Sequence, residues 1–161
     1  MARVAGLAAP EAGRPAQLGI VGSGTSDAPT IVDAIVDRFA ARETPALRVT
    51  GRRLERDHAL AAVQHLVGGT GDAADDRAER DARDGLLARL AARTAALVVE
   101  DAQWLDPGSL RVIVGVAERA AAQEIPLTVA HRPAPGDSTL AALDTLVGRH
   151  QPLVAHVQIA G

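Results

Sequence analysis

Lysine, cysteine and tyrosine are absent from this sequence, and its only aromatic residues are Phe39 and Trp104. All 17 basic residues are therefore arginine. Each absence removes a class of chemistry. Without cysteine there is no disulfide framework and no thiolate metal site. With two aromatic rings, the core must be built from Ala, Val, Leu and Ile. Without lysine, no compact ammonium on a flexible stem is available to meet a phosphate. The net charge of −3 makes no electrostatic case for nucleic acid. No apolar run approaches membrane-span length, and Val4 to Ala9 is too short and too weakly apolar for a signal peptide. The composition predicts a cytoplasmic protein with no membrane contact and no direct DNA binding by this segment.

What is present is enough for one domain with a real core: 161 residues, of which 47% are apolar. The most informative stretch is Ala96-Leu97-Val98-Val99-Glu100-Asp101, followed by Ala102-Gln103-Trp104-Leu105-Asp106-Pro107-Gly108-Ser109-Leu110. An unbroken apolar run suits a strand buried on both faces, as in a parallel sheet covered by helices. The two acids then fall at the strand's carboxyl end, where open α/β sheets bind ligands. Asp106-Pro107 reads as a helix start, with Asp as the cap and Pro in the first helical position.

Leu18 to Val21 reads as the first strand, Gly22-Ser23-Gly24-Thr25-Ser26 as a flexible turn, and a helix is expected from Thr30. Strand, Gly-rich turn and helix are the context of a P-loop, Gly-x-x-x-x-Gly-Lys-Ser/Thr. Counted from Gly22, the last three required positions fall on Asp27, Ala28 and Pro29, and none matches. Asp27 puts a side chain and a negative charge where backbone should approach phosphate. Ala28 lacks the ammonium. Pro29 lacks both the hydroxyl for magnesium and a backbone N–H. An Asp at a helix start can itself satisfy the helix dipole, in the place a phosphate would take.

Further along, Ala46 to Thr50 alternates like an edge strand, and His58 to Val67 reads as a helix. The mixed-charge turn from Gly51 to Asp57 reads as a solvated loop. His58 and His65 read as surface or boundary residues. Asp75 to Arg93 is a scaffold helix, with Asp76–Arg80 and Glu79–Arg83 at i,i+4 spacing and Gly85 as a kink or break. A helix carries Leu110, Ile113, Val114, Ala117 and Ala121 on one stripe. Ile125 to Val129 is a strand, Thr139 to Val147 a short helix, and Leu153 to Ile159 a second alternating edge strand. Continuous runs in the first and third strands and alternation in the second and last suit a parallel sheet in the order 5-1-4-3-2.

The segment from Val98 to Leu110 resembles the Walker B segment of the STAND/AAA-type ATPase domain in large LuxR-family (MalT-like) transcription regulators. Paired acids, a Trp three residues on, and Asp-Pro-x-Ser-Leu carry that resemblance. It extends over most of the chain from Leu18 to Gly161, with Met1 to Gln17 as a loose lead-in in which Gly13-Arg14 is a weak match. Val129 to Pro133 resembles the end of the family's fourth strand. The resemblance implies an α/β, P-loop NTPase-like three-layer sandwich: a mainly parallel five-stranded sheet with helices on both faces. It implies ATP and Mg2+ as cofactors, an ATP-controlled switch as the ancestral mechanism, and transcription regulation as the setting. Glu100 would hold magnesium, Asp101 would position the attacking water, and Arg132 would read the γ-phosphate. Nucleotide would lie against Gly22, Ser23, Gly24, Thr25, Ser26, Asp27, Ala28, Pro29 and Thr30. The family's lid, winged-helix arm and DNA-binding helix-turn-helix have no counterpart in these residues.

Because the P-loop Lys and Ser/Thr are missing, the expected protein is a degenerate nucleotide-binding domain with weak or no ATP binding, whose ancestral ATPase switch is weak or dead. Two other readings stand beside it. One is an active ATP switch or ATPase with a non-standard loop, in which Arg132 or Arg14 replaces the lysine. The other is a protein-interaction scaffold without nucleotide, through a protein partner or self-association.

Overall fold

The computed structural model describes residues 17–21, 28–68, 75–120, 122–132 and 136–149. Four strands form one parallel sheet: β1 (Gln17–Val21), β2 (Ala46–Thr50), β3 (Ala96–Glu100) and β4 (Leu127–His131), in the order β1-β4-β3-β2. That is the order expected for these four. The fifth strand, Leu153 to Ile159, lies outside the described residues.

The helices are α1 (Ala28–Ala41), α2 (Ala61–Val67), α3 (Asp76–Arg93), α4 (Pro107–Ala120) and α5 (Ser138–Arg149). From β1 the chain crosses the whole sheet to β2, then steps back through β3 to β4. Right-handed crossovers therefore put α1 on one face and the later helices on the other. The core bears this out. Leu47, Val49, Leu97, Val99, Leu127 and Val129 point from the strands into one cluster with Val63, Leu86, Leu90, Ile113, Val116, Leu140 and Leu143 of α2 to α5. The alternate strand positions, including Arg48, Val98 and Glu100, lie on the face of α1, where Val32 and Ile35 are buried.

Several expectations change in the folded chain. The second helix starts at Ala61 rather than His58, because Arg53–Glu55 forms a 3-10 turn and Leu60 adopts a left-handed conformation at φ 59°. The fourth strand begins at Leu127, two residues late, after Ile125 and Pro126. Gly85 does not break α3, which runs through it beside Val67. The expected i,i+4 pairs also rearrange. Glu79 reaches across to Arg111 on α4, whose Nε donates at 2.9 Å. Arg83 turns to Asp84 at 3.3 Å, and the i,i+4 pair on α3 is Arg77–Asp81 at 4.0 Å. The Glu79 carboxylate raises the Arg111 pKa by direct hydrogen bonding. Tertiary contact wins here because a neighbouring helix offers a bidentate partner, which is stronger than an exposed pair along one helix.

The Asp106-Pro107 helix start forms as expected and does more than cap one helix. Asp106 Oδ2 accepts from Ser109 N at 2.9 Å, the cap of α4. The same oxygen accepts from Leu60 N at 2.7 Å, at the start of α2. Ser109 Oγ accepts from Val63 N at 3.4 Å. One short motif thus satisfies orphan N–H groups of two helices that meet at their N-termini. Gly108 sits between them: a Cβ there would come within 3.0 Å of Leu60 Cδ2. Among the described residues no helix is long and apolar enough to cross a membrane.

Candidate functional site

The two acids end β3 in different environments. Glu100 is the last strand residue and points to the α1 face; its side chain is 15% exposed. In the parallel register Thr50 lies directly beside it, and Arg48 lies two residues back on the same face of β2. Arg48 Nε donates to Glu100 Oε2 at 3.0 Å and its Nη2 donates to Oε1 at 2.7 Å. Thr50 Oγ1 adds a bond to Oε2 at 3.2 Å. The fork is bidentate, the geometry in which arginine binds carboxylate most strongly. Arg48 Nη2 also reaches Asp33 Oδ1 on α1 at 3.0 Å. Its hydrogen bonds to Glu100, with a smaller contribution from the one to Asp33, push the Arg48 pKa above its ordinary value. The guanidinium is charged at every accessible pH.

Asp101 leaves the strand in a left-handed conformation, φ 49° and ψ 45°, and its side chain is exposed. The turn is held by close backbone approach. Gly51 N donates to Glu100 O at 2.8 Å, and a Cβ on Gly51 would meet Asp101 O at 2.2 Å. Only glycine fits there. Gln103, buried at 9% exposure, spans the ends of two strands. Its Nε2 donates to Asp101 Oδ1 at 3.4 Å, and its Oε1 accepts from Arg132 N at 3.0 Å.

Arg132 follows β4 at the same end of the sheet, and its side chain is exposed with no ion pair among the described residues. Its neighbour His131 is buried, with Nδ1 2.7 Å from Arg132 O. Pro29, within the first turn of α1, sits where a missing N–H is tolerated. Ala28 and Thr30 lie in the same turn. Gly22, Ser23, Gly24, Thr25, Ser26 and Asp27 are outside the described residues.

The structure therefore brings Glu100, Asp101 and Arg132 to one end of the sheet, with Glu100 held by Arg48 and Asp101 tied to Arg132 through Gln103. Arg48, Thr50, Asp33 and Gln103 were not singled out from the sequence. The alternation in β2 carried a signal for two of them, since it placed Arg48 and Thr50 on the face opposite Leu47 and Val49. Gln103 had no pattern to find it by.

With both of its oxygens in hydrogen bonds to Arg48 and Thr50, the Glu100 carboxylate as arranged does not fit a magnesium ion. The cation it faces is a side chain of the protein. Among the described residues no group of three or more His, Asp or Glu is placed to hold a metal ion. Comparison with protein-family models, curated proteins and solved structures finds no match.

Proposed function

We propose that this chain is a degenerate nucleotide-binding, ATPase-like domain of the STAND type, related to LuxR-family regulators, which binds ATP weakly or not at all. The observation that carries this reading is the Arg48 fork on Glu100. A nucleotide switch needs that acid free to recruit magnesium. Here the acid is neutralised from within, and breaking a bidentate pair to admit a metal costs the hydrogen bonds that hold it. Asp27, Ala28 and Pro29 add the loss of the loop's cation and hydroxyl. The parallel strand order supports the same reading, in which Leu153 to Ile159 adds a fifth strand beside β1 and completes a P-loop-type sandwich. The domain then acts as a fixed scaffold in transcription regulation, with α1 tied to the sheet by Arg48 and no nucleotide needed.

The test is calorimetric titration with magnesium-ATP of three proteins. These are the natural chain, a variant restored to Asp27→Gly, Ala28→Lys and Pro29→Thr, and the restored variant with Arg48→Ala added. We expect no heat from the natural chain, weak binding by the restored loop, and tighter binding once Arg48 is removed. Micromolar binding by the natural chain would sink the proposal. It would favour an active switch with a non-standard loop, a reading supported by the exposed Arg132, which makes no ion pair among the described residues, and Arg132→Ala should then abolish the binding. If none of the three binds, the relation to nucleotide-binding domains is itself refuted.

A further inference from the structure

At the carboxyl end of the sheet, apart from Glu100, the chain builds a surface that the nucleotide reading does not use. Gly51 leaves β2 and the chain turns through Arg52-Arg53-Leu54-Glu55-Arg56. Leu54 is 91% exposed, the one large apolar side chain so exposed among the described residues. Arg53 and Arg56 flank it. Their guanidinium carbons stand 5.5 Å and 5.9 Å from the centroid of the Trp104 ring. A cation over an indole is attracted by the ring quadrupole and loses side-chain freedom before any partner arrives. Neither arginine makes an ion pair among the described residues.

The turn is rigid. Glu55 N bonds Arg52 O at 2.9 Å and His58 N bonds Glu55 O at 3.0 Å. Gly51 is locked against the Asp101 backbone, as described above. The carboxylates of this turn make no ion pair with Arg53 or Arg56 among the described residues. Glu55 Oε1 meets Arg52 Nη1 at 3.3 Å and lies 3.5 Å from His65 Nε2, its Oε2 has no partner among the described residues, and Asp57 is exposed after the turn.

We infer that Arg53 and Arg56, mounted on Trp104, form with the exposed Leu54 a docking surface for an acidic protein segment that carries an apolar side chain. Charge complementarity selects the acidic segment: two pre-oriented arginines make no ion pair among the described residues, and arginine forks match carboxylates. Leu54, exposed in the same turn beside them, selects a partner with a greasy residue among its acids, because apolar contact bordered by charged groups is how small interfaces gain affinity. A nucleic acid suits the surface less well. The Trp104 ring already carries guanidinium groups where a base would stack, and the whole chain is anionic at −3.

Trp104 is the only tryptophan, so its emission reports binding directly. The test titrates the full chain with a labelled peptide of Glu and Asp around a single central Leu. A Gln-substituted peptide, a single-stranded oligothymidine and a sedimentation measurement run beside it. We expect saturable quenching of Trp104 by the acidic peptide that weakens as salt shortens the Debye length below about 8 Å. The doubly reversed variant R53E/R56E should lose about tenfold or more in affinity, and Leu54→Ser severalfold. Reversal of two distant exposed arginines, R77E/R93E, changes net charge equally and should leave binding intact. It also separates local contact from long-range attraction, and circular dichroism checks the fold of each variant. The inference is overturned if the acidic peptide does not bind, or if R77E/R93E weakens it as much as R53E/R56E. It is equally overturned if the oligothymidine binds tighter through the same arginines, or if R53E/R56E instead dissolves a dimer of the chain.

Discussion

The two faces of the sheet solve different problems with the same strands. One face meets four helices, and Leu47, Val49, Leu97, Val99, Leu127 and Val129 give it an apolar centre, with buried His131 following at the carboxyl end of β4. The other face meets α1, and there Arg48, Thr50 and Glu100 form a charged network tied to Asp33. The pleat separates them, because successive side chains leave a strand on opposite sides. Hydrophobic burial is non-directional, so the first face needs volume and little else. The second face needs a matched fork, a register and a partner on α1. Its stability is smaller and its specificity greater.

Disruption of each face should show that difference. The largest effect belongs to the apolar side. Leu97 is fully buried, and Leu97→Ala should cost about 2–5 kcal/mol in urea denaturation. A loss below 1 kcal/mol, on the order expected for an exposed site, would mean that the packing around β3 is looser than described.

Next comes Asp106, which joins α2 to α4 on that same side. It is 2% exposed and serves two N–H groups with one oxygen, while Oδ1 has no partner among the described residues. Asp106→Ala should cost about 2–3 kcal/mol, since it strips a cap from each helix. Asp106→Asn should cost less, because it keeps the accepting oxygen. Equal losses in the two variants would show that charge, not the hydrogen bonds, is what matters there.

The smallest effect should come from the polar face. Arg48 has 40% of its side chain exposed, so solvent screens its pair with Glu100. Arg48→Met should cost about 1 kcal/mol and Glu100→Gln a similar amount, with the double variant less destabilised than their sum. The more telling measurement is hydrogen exchange in α1, which should lose protection in Arg48→Met while α4 keeps its own. Unchanged exchange in α1 would show that the Asp33 contact does not hold the helix. Strengthening salt should erode this coupling and leave the Leu97 effect untouched.

Much of the architecture could be read from residue order alone. The apolar run before Glu100 marked the buried central strand, the alternation in β2 marked its edge, and Asp106-Pro107 marked the start of α4, because periodicity and capping are local chemistry. Local pattern also placed Asp75 at the start of α3, where it accepts from Ala78 N at 2.7 Å. It could not tell that Leu60 would turn left-handed and delay α2, since Asp106, whose carboxylate accepts from Leu60 N, lies 46 residues away. Nor could it pair Glu79 with Arg111 across two helices. The candidate site divides along the same line. Its acids and Arg132 stood out by type and spacing. The partner that decides what Glu100 can do, Arg48, is 52 residues distant and arrives only through strand register. Sequence determined which residues would line each face, because side-chain alternation is a property of the backbone. Tertiary structure decided which charges would meet, because hydrogen bonds and ion pairs depend on distances of about 3 Å that no linear spacing records.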